Sequence, residues 1–142
     1  MMAAETAVRE WVNSKPGLVG AGSPLGMGAF LRGQASPGDG AYAIVHRAGG
    51  SSDLVAEQDS NLALASIVFQ VYSPTEDVAE RAAAALATAI EQLTGSPEPC
   101  GQTGVTVLVS DRLQGPVHVP QPADSGEPYC FQVGADFTLA EF

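Results

Sequence analysis

The chain has 142 residues, a length that predicts one domain able to bury a real core. Sixteen acidic residues against 6 basic give a net charge of -10, which argues against the cationic surface that a phosphate-backbone binder needs. No apolar run approaches the roughly 18 residues of a membrane span, and Glu5, Arg9 and Glu10 interrupt the N-terminus where a secretory signal would be apolar.

In chain order, residues 3–13 predict a short helix, with Ala7, Val8, Trp11 and Val12 on one side, ended by Pro16-Gly17. Trp11, the single tryptophan, is the expected anchor of that helix. Residues 17–40 are glycine-rich and read as a long loop holding a brief strand at 29–32. Leu25, Met27, Phe30 and Leu31 give this loop an apolar patch that a monomer would expose. A strand follows at 41–47, then a second loop at 48–61.

Residues 62–72 form the strongest strand, apolar on both faces and therefore expected at the centre of the sheet. Ser73-Pro74-Thr75-Glu76 predicts a helix start, with Ser73 as the cap and Glu76 closing a capping box. Val78, Ala82, Leu86, Ala89, Ile90 and Leu93 make one apolar stripe, and Gly95 is the expected stop. Further strands are expected at 105–111 and, briefly, 115–119. The proline-broken stretch 112–128 is expected to cross the surface in extended form. The last strand, 130–139, alternates Phe131, Val133, Ala135, Phe137 and Leu139 with a polar set. The expected fold is α+β: a single domain over 1–142, with a mixed, mostly antiparallel four- to five-stranded sheet. A long helix packs on one face, beside a short N-terminal helix.

No residue pattern forms a reaction centre. The glycines between Gly20 and Gly26 lack the strand, helix and lysine of a phosphate loop. His46 and His118 have no ligand-like neighbour at metal spacing. Asp53, Glu57 and Asp59 cluster in the 48–61 loop without the alternation of a calcium loop. Cys100 and Cys130 are too few for a disulfide scaffold. No catalytic residue, cofactor or metal is therefore expected. Arg32, Arg47 and Arg112 stand out in so acidic a chain. Paired with carboxylates of another copy they would fix orientation; paired within the chain they would contribute little. The acidity itself has two readings: solubility, or a surface that lets DNA pass without sticking.

The strand at 67–72, the helix 74–94, the strand 105–111, the Gly115-Pro116 step and Glu127-Pro128-Tyr129 before a final strand carrying Asp136-Phe137 together resemble the tail terminator proteins of long-tailed, siphovirus-type phages. High alanine and glycine content fits a phage or prophage of an actinobacterial host. The resemblance covers 60–142 and the leading helix, and leaves 17–40 unmatched. It implies a non-enzymatic virion protein, assembled in the host cytoplasm as a homohexameric ring at the neck. Such a ring caps the tail tube, joins it to the head-tail connector and lets the genome pass through its lumen. On that reading Leu25, Met27, Phe30, Leu31, Arg32, Leu54 and Arg112 are candidate interface residues, and Asp53, Glu57 and Asp59 candidate lumen residues. Two alternatives compete: another neck protein, for head completion or connection, and a small ligand-binding α+β domain.

Overall fold

A computed structural model of the chain describes residues 4–31, 40–48, 62–93, 98–99, 105–121 and 129–141. Its elements are α1 (Ala4–Asn13), β1 (Gly28–Leu31), β2 (Tyr42–Arg47), β3 (Leu62–Ser73), α2 (Glu76–Glu91), β4 (Glu98–Pro99), β5 (Val105–Val119) and β6 (Tyr129–Glu141). The strands lie in the order β1-β2-β3-β6-β5-β4. Every neighbouring pair is antiparallel except β1 with β2. This is the expected α+β architecture with a mostly antiparallel sheet; β4 is a two-residue addition to its five longer strands.

Period-2 alternation sorts the sheet into two faces. Ala43 and Val45 of β2, Ala65, Ile67, Phe69 and Val71 of β3, and the odd residues of β6 from Phe131 to Leu139 are all buried. They share one apolar cluster with Ala7, Val8, Trp11 and Val12 of α1 and with Ala82, Ala83, Leu86 and Ile90 of α2. Both helices therefore cover the same face. Tyr42 and Cys130, buried on the other face, do not belong to that cluster.

Phe137 is the joint of this core. Its ring meets Trp11 at 6.1 Å between centroids and Phe69 edge-on at 6.1 Å, within the range where aromatic pairs attract. Trp11 is held from its polar end as well. Its indole N–H donates to Glu98 Oε1 at 2.8 Å, and Lys15 Nζ lies 2.8 Å from the same oxygen and 5.6 Å from the indole centroid. Burial alone would raise the Glu98 pKa. The hydrogen bonds from Lys15 and Trp11 and the lysine charge outweigh it and hold the carboxyl below the usual glutamate value.

Three local expectations are corrected. The helix start falls at Glu76, not Pro74. Ser73 remains in the sheet, paired with Tyr129, and its buried hydroxyl accepts from the Thr75 amide at 3.4 Å. Thr75 occupies the N-cap with no side-chain bond, so the capping box does not form. That leaves α2 about 24 Å long, at 1.5 Å per residue. Residues 105–119 form one strand rather than two. Three register shifts against β6 absorb the extra residues, so 112–119 belongs to the sheet instead of crossing the surface. Leu25 does not sit in an exposed patch: it is fully buried and joins the core. Gly95 and the 49–61 segment lie outside the described residues.

Leu86 is fully enclosed. Leu86→Ala is expected to cost about 2–5 kcal/mol in urea unfolding, several times the effect of Ala84→Ser on the exposed side of α2. The Glu98 cluster gives a pH test. Because the folded pKa is depressed, its stabilisation is present above the unfolded glutamate value of about 4.3 and is lost as pH falls through the folded value. Glu98→Gln should therefore lower stability at pH 7 by about 1–2 kcal/mol. That gap to wild type should close by pH 3; a gap constant with pH would contradict the ion pair.

Candidate interaction surface

The helix-free face of the sheet carries a row of aromatic side chains at one end. Tyr42 stacks on Tyr72 across β2 and β3 at 5.4 Å, and Phe30 of β1 meets Tyr42 edge-on at 6.5 Å. The Tyr72 hydroxyl donates to Gln70 Oε1 at 3.3 Å. At the other end Ser66 Oγ donates to Asp136 Oδ1 at 2.6 Å across β3 and β6. Between them Gly134 stands opposite Val68 on one side and Gln114 on the other. Its missing side chain leaves a shallow recess of about 230 Å³, lined by Ser66, Val68, Gln114, Gly134 and Asp136.

Charge is distributed unevenly around this sheet. Glu76, Asp77, Glu80 and Glu91 project from the solvent side of α2, where Arg81 pairs with Asp77 at 3.1 Å. On the opposite face the row from Phe30 through Tyr42, Ile44, Val68, Gln70, Tyr72 and Gln132 carries no acid. Asp136 is the one acidic residue among the described even positions of β3 and β6.

Among the described residues, both edges of the sheet carry features that hinder a further strand. Beside β1, the Asn13 side chain accepts from the Ala29 amide at 2.8 Å and donates to the Ala29 carbonyl at 3.1 Å. It occupies the place that one residue of another strand would take. At the opposite edge β4 pairs only with Thr106 and Val107. Beyond it β5 carries Gly115 at φ +93°, Pro116 and two register shifts. Proline has no N–H to offer and the bulges break the ladder, two devices that blunt an edge. A Cβ at Gly115 would collide with the Gln132 carbonyl, so glycine is required there.

The large apolar side chains exposed among the described residues are Met27 at 38%, Val117 at 57% and Tyr129 at 45%. Of the residues expected at an interface, Met27 is thus exposed, Phe30 and Leu31 are half-buried, and Leu25 is excluded by its burial in the core. Arg32, Leu54, Asp53, Glu57 and Asp59 lie outside the described residues, as does the side chain of Arg112. Val117 and the Asn13 bridge escaped the sequence reading. A valine after Gly-Pro carries no signal of exposure, and a helix-ending asparagine does not announce its partner sixteen residues on. The strands that carry Tyr42 and Tyr72 were legible, but the pairing of the two rings across them was not. His46 is half-buried in β2, and the exposed His118 lies 5.2 Å from the Phe131 ring. Among the described residues no three His, Cys, Asp or Glu converge as metal ligands, and no helix is long and apolar enough to cross a membrane. A second hollow, about 390 Å³, lies between residues 22–24 and Val78, Arg81 and Ala82 of α2. No protein-family model matches the chain, and no curated protein matches it significantly.

The Asn13 bridge predicts a two-part effect. Asn13→Ala should lower the stability by about 1 kcal/mol, because water can replace an exposed hydrogen bond. It should also open the β1 edge to strand addition, raising light scattering on storage. Unchanged scattering alongside unchanged melting would show that the bridge guards nothing.

Proposed function

We propose that this protein is a structural component of a phage tail, a tail terminator that forms a homohexameric ring at the neck. The ring ends the tail tube, meets the head-tail connector and passes the genome through its lumen. The protein performs no catalysis and needs no cofactor. The observation that carries this reading is the segregation of charge across one domain. Acids gather on the solvent side of α2, and a nearly neutral, partly aromatic sheet face lies opposite. A ring subunit needs both: apolar surface for protein neighbours and a negative surface where DNA must slide rather than bind. The order of elements in the second half, from β3 through α2 to β6, supports the family resemblance.

On this reading the acids of α2 join Asp53, Glu57 and Asp59 as candidates for the lumen wall. Attraction or repulsion reaches about 10 Å at ordinary salt, so only acids at the wall act on passing DNA. The competing reading is a small ligand-binding domain, favoured by the hollow beside Arg81. That hollow is within the usual size range for ligand sites, yet among the described residues its polar side chains are Ser23 and an Arg81 already paired with Asp77.

Native mass spectrometry and a DNA titration test the proposal together. The expected result is a six-fold particle with no measurable DNA binding at low salt. A monomer whose melting point rises with a small ligand would select the competing reading.

A further inference from the structure

The ring reading leaves open which surfaces of neighbouring copies meet, and three separate observations converge on the two edges of the sheet. First, the exposed apolar side chains Met27 and Val117 lie toward opposite ends of the strand order: Met27 directly precedes β1, where its amide donates to the Ala41 carbonyl, and Val117 lies in β5 beyond the residues paired with β4. Second, the stretches that carry Met27 and Val117 contain no acid of their own. No Asp or Glu occurs between Trp11 and Gly38, or between Arg112 and Ala123, in a sequence with 16 acids. Two copies of net charge -10 repel, and they approach at least cost where neither presents a carboxylate. Third, the Asn13 bridge at Ala29 and the Gly115-Pro116 bulge hinder backbone pairing beside these two side chains. Contact there is therefore favoured through side chains.

We propose, resting on the ring reading above, that copies of this chain associate head to tail. The Met27 edge of one packs against the Val117 edge of the next. The two edges differ in shape and chemistry. One is a short strand capped by a side-chain amide; the other is a bulged strand with Pro116, His118 and Pro120 exposed around Val117. Two unlike surfaces of one subunit generate a heterologous contact, which closes into a ring when the rotation between copies allows it. Both anchors are flexible or small apolar groups at positions that already face solvent, so an acid placed there leaves the fold intact but puts a charge into the contact.

Sedimentation velocity of the full chain tests this with Met27→Glu, Val117→Glu and their equimolar mixture. Wild type should sediment as a ring. Each variant alone should lose the ring at the same concentration, with melting temperature unchanged. The mixture should form dimers and nothing larger, because one intact Met27 edge then meets one intact Val117 edge. The double variant Met27→Lys, Val117→Glu should recover the ring through the new charge pair. Should either glutamate lower the melting temperature, Met27→Ser and Val117→Ser are read in the same way, each weakening association at least about tenfold. Rings that persist in both single variants would overturn the edge contact and leave the ring reading standing. Dimers formed by one variant alone would mean that like edges pair, and would overturn the head-to-tail arrangement. A monomeric wild type would overturn both.

Discussion

The fold depends on the seating of Phe137 between Trp11 and Phe69. This contact brings together the N-terminal helix, the central strand and the last strand, elements far apart in the chain. The long helix closes the same cluster with Leu86 and Ile90, and small alanines along its inner side let it lie close to the strands. All of this happens on one side of the sheet. The consequence is a two-layer domain in which the opposite face is left to cross-strand pairs such as Tyr42 with Tyr72 and Ser66 with Asp136. An antiparallel sheet tolerates such an arrangement when its outer face is at least partly polar.

Edge strands are natural sites of uncontrolled pairing. Here one is occupied by the Asn13 amide and the other broken by Gly115 and Pro116. These devices hinder strand addition and leave side-chain contact at a sheet edge open. On the helix-covered side, the single lysine of the chain fastens α1 to β4 through the Lys15–Glu98 pair.

Much of the fold was legible because periodicity is a local signal. The apolar run of β3, the alternation in β6 and the apolar stripe from Val78 to Leu93 identified the central strands, the long helix and its buried face. What escaped was set by distant partners. Ser73 reads as a helix cap, but pairing with Tyr129 keeps it in the strand and moves the helix start to Glu76. Gly115-Pro116 reads as a break, but β6 holds the segment in register on both sides of the bulge. Leu25 reads as exposed loop, yet the Val19–Leu25 bridge and the bonds of Leu25 with Leu18 and Gly28 fold it inward. Of the candidate surface, Met27 was visible as an apolar residue in a glycine-rich loop. Val117 was not, because its exposure follows from how far β4 extends.

Disulfide trapping measures the central claim most directly. In a Cys100→Ser background, Met27→Cys and Val117→Cys place one thiol on each edge. Three strands separate β1 from β5, roughly 19 Å at about 4.8 Å per strand spacing, so a bond within one copy is out of reach. Mild oxidation should yield a ladder of covalent species ending at a single closed size, reversed by reductant. Monomer alone, under conditions where the uncrosslinked protein is assembled, would contradict the account.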